Sequence, residues 1–274
     1  MQPLFLDGIA GRLFALYRPP VENVAHRGDV LFVPPFAEEM NRARRMATVT
    51  AERLARAGYG SLVFDLYGTG DSAGEFAEAR LDIWRDDVRR ALAWLAARGA
   101  PALGVIGLRL GALLALDAAA TGPLPTQVVL WQPVQDGQQI LTQFLRLRLA
   151  AAIGAGGSTR ETPQTLRAQL AEGQTLEIAG YEISPGLAAD LDAFRLAPLG
   201  PACKAPIHWL ELVAEEGRPI PPGGVRTIEA WREAGVTNLD ARTVQGDQFW
   251  VLLEISVAPK LVDATVEIFA GAPT

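Results

Sequence analysis

Short aliphatic runs separated by amphipathic stretches limit what this chain can become more than any other feature. Val30 to Val33, Ser61 to Leu66, Leu103 to Gly107, Gln127 to Trp131 and Ile207 to Val213 have the length and the β-branched or aliphatic content of buried parallel strands. Between them, Ala43 to Ala57 and Ile83 to Ala97 place apolar side chains three and four apart, and Gly58 and Gly99 stand just past their ends as C-terminal stops. Strand and helix in repetition predict an α/β architecture with a mostly parallel, doubly wound sheet. The first twenty residues differ. They read as two short strands with a turn near Asp7-Gly8, an antiparallel edge leading into the sheet.

The strand signal fades from about Gly137 to Leu199, where helices are expected at Gln138 to Ile153, Pro163 to Ala171 and Gly186 to Ala193. Gly154 to Gly157 reads as flexible, and Ser184-Pro185 supplies a cap and first residue for the third helix. The alternation resumes at Ile207 and continues through Arg226 to Glu233, Asp240 to Val244 and Pro259 to Phe269. The expected division is a core of residues 1–136 and 201–274 carrying a helical cap insertion, 137–200.

Composition removes several classes of function. A chain of 274 residues can bury a core without staples, and its one Cys excludes an internal disulfide framework. A net charge of -6 opposes a nucleic-acid surface. The 18 uncharged residues from Ala118 to Gln135 contain Gly122, Pro123, Pro125 and Pro133, so no membrane span is expected there. Met1 to Leu6 has no basic residue ahead of its apolar stretch and Asp7 interrupts it, so no signal peptide is read and the cytoplasm is the default location. No cofactor is expected. Nor is a metal: two isolated His and one Cys give no ligand spacing, and no spacing among Glu38, Glu39, Asp71 and Asp136 demands magnesium.

The most informative string is Gly107-Leu108-Arg109-Leu110-Gly111-Ala112, between a strand and a helix. Its G-x-x-x-G frame is that of a nucleophile elbow, a tight reversal that holds its central residue strained and exposed. That residue here is Arg109, always protonated and without a lone pair to attack with. Asp65 to Ser72 has a D-x-x-G-x-G-x-S pattern, and Pro34-Pro35-Phe36-Ala37-Glu38-Glu39 follows the strand ending at Val33. Pro206 to Val213 leads to Glu215-Glu216 and Pro221-Pro222, and Gln245 to Trp250 follows the last strand. Together these resemble the α/β-hydrolases. PPFAEEMNRARRM (34–46), DLYGTGDS (65–72), GLRLGA (107–112), WQPV (131–134) and QFW (248–250) are similar to strings of the exosortase A system-associated hydrolase 2 family.

That resemblance covers nearly the whole chain. It implies an α/β-hydrolase fold and a setting in bacterial exopolysaccharide and exosortase protein-sorting systems, whose machinery could supply a protein partner. It implies no demonstrated reaction. By its motifs, Phe36 and Ala37 belong to the oxyanion loop, Glu215 and Glu216 to the acid loop, and Phe249 or Gln248 fills the histidine position.

A serine mechanism needs an imidazole near the nucleophile. His26 precedes the strand at Val30, and His208 is the second residue of the strand Ile207 to Val213, so both fall at the wrong end of the sheet. Ser72 is expected to satisfy local backbone groups, and Cys203 has no activator beyond Lys204. Glu38 and Arg42 have the spacing of a helical ion pair.

Arg109 beside the first amides of the following helix would form an anion seat, with Leu110, Phe36, Ala37, Glu38 and Glu39 around it. Alternatively it is neutralised internally by Glu38, Glu39, Glu215 or Glu216. Two functions stay open: a non-catalytic cleft for an acidic or acyl-bearing small molecule or a partner, and a true hydrolase of ester, thioester or acyl-glycan substrates using a set such as Glu215, Glu216, Asp136 and Ser72.

Overall fold

The computed structural model describes residues 1–122, 125–154 and 161–271. Eight strands form one sheet: β1 (Gln2–Asp7), β2 (Arg12–Arg18), β3 (Gly28–Val33), β4 (Tyr59–Phe64), β5 (Leu103–Leu108), β6 (Gln127–Trp131), and, after an inserted hairpin of β7 (Leu176–Ile178) and β8 (Tyr181–Ile183), β9 (Ile207–Val213) and β10 (Leu239–Gln245). The order is β1-β2-β4-β3-β5-β6-β9-β10. β1 and β2 pair antiparallel, as does β2 with β4; from β4 to β10 every pairing is parallel. The expected antiparallel edge is therefore present, and its turn closes through the Gly8 amide and Gly11 carbonyl.

The helices are α1 (Glu38–Arg56), α2 (Leu81–Ala96), α3 (Leu110–Thr121), α4 (Gly137–Gly154), α5 (Pro163–Ala171), α6 (Pro185–Ala193), α7 (Leu199–Ala202), α8 (Pro222–Glu233) and α9 (Pro259–Gly271). All six residues of β3 are buried, and successive side chains enter opposite layers. Leu31 and Val33 join a core with α2, α3 and α8, whereas Val30 and Phe32 join one with α1 and α9. Covering both faces in this way is what an aliphatic parallel strand requires.

Residues 137–202 carry α4, α5, β7, β8, α6 and α7, and α4 packs on α6 and α5. The hairpin β7–β8 departs from the all-helical expectation. Its two-residue turn is Ala179-Gly180, both at positive φ (51° and 83°), and alanine at a position that favours Asn or Gly hid it in the sequence. The Ser184 hydroxyl accepts the Leu187 amide at 3.3 Å, capping α6 as expected. Of the stretch read as flexible, residues 155–157 lie outside the described residues. No described helix is long and apolar enough to cross a membrane.

Candidate functional site

From β3 the chain crosses to β4 on one side and returns to β5 on the other. Such a switch opens a crevice beyond the carboxyl ends of the two middle strands, where doubly wound sheets place ligands. Pro34 to Ala37 leave β3 there, and Arg109 leaves β5 there as the single residue between strand and helix. Arg109 has φ 58° and ψ -114°, the strained turn expected of its frame. Glycines make the turn possible: a Cβ on Gly111 would lie 2.4 Å from the Val33 and Pro34 carbonyl oxygens, and one on Gly107 would lie 2.3 Å from the Gly111 oxygen. The Arg109 amide donates to the Trp131 carbonyl at 3.0 Å, tying the turn to the end of β6.

The Arg109 side chain is only 9% exposed and is neutralised from within. Its Nε and Nη2 donate to Glu39 Oε1 at 3.1 and 3.0 Å, Nη2 also donates to Gln143 Oε1 on α4, and the guanidinium lies 5.5 Å from the Trp250 ring centre. Of the four carboxylates considered for this pairing, Glu39 is the one that makes it. Burial pushes the Glu39 carboxyl upward while Arg109 pulls it back. Glu38 Oε2 is buried with no hydrogen-bond partner among the described residues, and burial pushes that carboxyl up to about 7.

These groups border a cavity of about 250 Å³ between the strand ends and α4. Its polar lining is Glu38, Glu39, Arg42, Arg109, Gln143 and Gln248; its apolar wall includes Phe36, Trp250 and the α4 face Ile140, Phe144 and Leu147. Ala37 and Leu110 flank the turn with buried side chains and do not line it.

Several expected residues are placed elsewhere. Glu215 and Glu216 are exposed, one beside Arg218 at 3.9 Å and the other beside Lys260 at 3.3 Å, because the loop after β9 runs outward into solvent. Phe249 is fully buried between Trp131 and Trp250, so only Gln248 of the two residues expected at the histidine position borders the cavity. Arg42 does not close the expected helical pair with Glu38; its Nη1 donates to the Val251 carbonyl at 3.0 Å. The Ser72 hydroxyl donates to the Asp65 carbonyl and accepts the Phe14 amide, and Asp136 accepts the Gln139 amide at the start of α4. Cys203 is buried, which raises its thiol.

The histidines sit at the amino ends of β3 and β9, opposite the turn. His26 Nε2 is 3.0 Å from the buried Asp29, and His208 Nδ1 is 3.6 Å from Asp240. Among the described residues no cluster of three His, Cys, Asp or Glu could hold a metal.

Two participants escaped the sequence. Gln143 carried a signal, since it lies on the same helical face as Ile140 and Leu147. Glu211 does not line the cavity but feels the Arg109 charge, and it carried a signal too, as an acid inside a buried strand; Trp209 Nε1 and Gln132 Nε2 each donate to it at 2.8 Å, and burial raises its carboxyl while Arg109 pulls it back.

The fold is that of the α/β-hydrolases. Est1E from Butyrivibrio proteoclasticus with bound ferulic acid is similar at a TM-score of 0.68 and 15% identity, over 97% of this chain and 96% of that one. A thermostable carboxyl esterase from Bacillus coagulans in complex with glycerol is similar at 0.66 and 12%, over 98% of each chain. XC6422 from Xanthomonas campestris, an α/β serine hydrolase without a lid, is similar at 0.58 and 16%, over 100% and 96%. A model of the X-Pro dipeptidyl-peptidase (S15) family matches residues 14–142. No curated protein sequence matches the chain.

Proposed function

We propose that this α/β-hydrolase-fold chain binds a small acyl-bearing molecule in the crevice beneath α4 and does not hydrolyse it by serine chemistry, with Arg109 and the Gln248-Phe249 pair standing where a nucleophile and its base would act. In this reading residues 137–200 are the cap, and the setting is the exopolysaccharide and exosortase machinery of the cytoplasm that the family resemblance implies. The observation that carries the proposal is Arg109 itself, held in the strained turn and ion-paired to Glu39 at 3.0 Å. A guanidinium cannot attack a carbonyl, and neither histidine is on its side of the sheet. An acidic ligand is the weaker of the two ligand classes, because Arg109 is already neutralised and Glu38 adds a second carboxyl to the cavity.

Hydrolysis by an unusual set is favoured by one observation. The Glu38 carboxyl borders the cavity with its proton affinity near neutrality, the range suited to a base that activates water. Purified protein with p-nitrophenyl acetate, p-nitrophenyl butyrate and a short acyl thioester is expected to show no turnover above the uncatalysed rate. Turnover that disappears in Glu38→Gln or Ser72→Ala would replace the binding proposal with this second reading.

A further inference from the structure

The loop after β10 leaves apolar side chains in water where a folded chain has every reason to bury them. Val251 is 50% exposed, Leu252 37%, Leu253 92% and Ile255 77%. Scattered single exposures are ordinary, but four within five residues form a patch, and patches mark contacts. Their neighbours Phe249 and Trp250 are buried, so the loop is anchored at its root. Arg42 holds it again through the Val251 carbonyl.

Val251 belongs to both places, lining the cavity as well as beginning the patch. The apolar cavity wall of Ile140, Phe144, Leu147 and Trp250 therefore reaches the loop at Val251, and the next residues along the chain are the exposed ones. The cavity, at about 250 Å³, is smaller than the roughly 300 Å³ at which ligand pockets begin, so a ligand of ordinary size extends beyond its mouth. The polar groups Glu38, Gln143 and Gln248 fit a head within the cavity, and Glu254 is the one charged residue from Val251 to Ile255.

We propose that Leu252, Leu253 and Ile255 form an external track for the aliphatic tail of a single-chain amphiphile whose head occupies the Arg109 cavity, so that this loop selects chain length. The inference rests on the cavity being a ligand site and adds which part of the ligand leaves it.

The test is calorimetric titration with n-alkanols and methyl n-alkanoates of four to twelve carbons below their micellar and solubility limits, comparing wild type with Leu253→Ser/Ile255→Ser. Both substitutions are at exposed positions and leave the core intact. Wild-type affinity is expected to rise two- to fourfold per methylene through the long members of a series, the upper figure being that of full burial. In the double variant the short members should bind as in wild type and the rise should flatten once the cavity is filled. Equal slopes in both proteins, with short chains still binding, would overturn the track and leave the cavity reading standing. Absence of binding for every member would remove both. Adsorption to phosphatidylcholine vesicles that is lost in the double variant while the slopes stay equal would assign the loop to a lipid surface and overturn the tail.

Discussion

Glu39→Ala is expected to destabilise the protein by about 3–5 kcal/mol, the usual consequence of stranding one member of a buried ion pair. For a chain of this size that corresponds to a fall in Tm of roughly 6–20 °C. Removing the other member should cost less. Glu39 can take up a proton once Arg109 is gone, and burial already pushes it that way, whereas Arg109 left without Glu39 cannot lose its charge. Arg109→Ala should therefore be milder than Glu39→Ala and should become more stable, relative to wild type, as the pH is lowered. Replacing the pair together by Arg109→Met/Glu39→Leu removes two desolvated charges at similar volume and should lie near wild type. Thermal unfolding of the four proteins checks this. Equal losses in the two single variants, or losses that simply add in the pair, would contradict a coupled buried pair.

The second large effect is a loss of stability as pH rises through the weakly acidic range. Asp87 is 0% exposed, with Oδ2 accepting the Tyr67 amide at 2.9 Å and Oδ1 buried without a partner among the described residues. Burial is the main cause that lifts its carboxyl from 3.8 to about 7, with Asp86 adding to the rise and Arg90 opposing it. A carboxyl raised in the folded state means that the folded protein holds more protons than the unfolded chain between those values, so stability falls across that window as pH increases. At about 1.4 kcal/mol per pH unit, the part between pH 5 and pH 8 is on the order of 3 kcal/mol. Glu38, raised to about 7 by burial, works in the same direction. Asp87→Asn keeps an acceptor for Tyr67 and removes the titration. Denaturant midpoints at pH 5 and pH 8 should show the variant gaining on wild type at the higher pH; parallel profiles would sink the assignment.

The sheet was legible because a buried parallel strand must be aliphatic throughout and a crossover helix must show its period, as Val30 to Val33 and Ala43 to Ala57 do. The turn at Arg109 was legible for a related reason: Gly107 and Gly111 are demanded by backbone oxygens closer than 2.5 Å to any added Cβ. What sequence could not settle was which acid meets the arginine. Glu39 wins over Glu215 because α1 begins directly beneath the turn, whereas the loop after β9 points outward, and loop direction leaves no periodic trace. Phe249 shows the same limit. Alignment by order put it at the histidine position, and a shift of one residue sends its ring into the core while Gln248 faces the crevice.

The absence of a serine-type nucleophile is tested most directly by intact mass spectrometry after incubation with an excess of a fluorophosphonate. An unchanged mass is expected for wild type and for Arg109→Ala. A single phosphonyl adduct on wild type, mapped to Ser72 or to any residue bordering the Arg109 cavity, would contradict a cleft without serine chemistry.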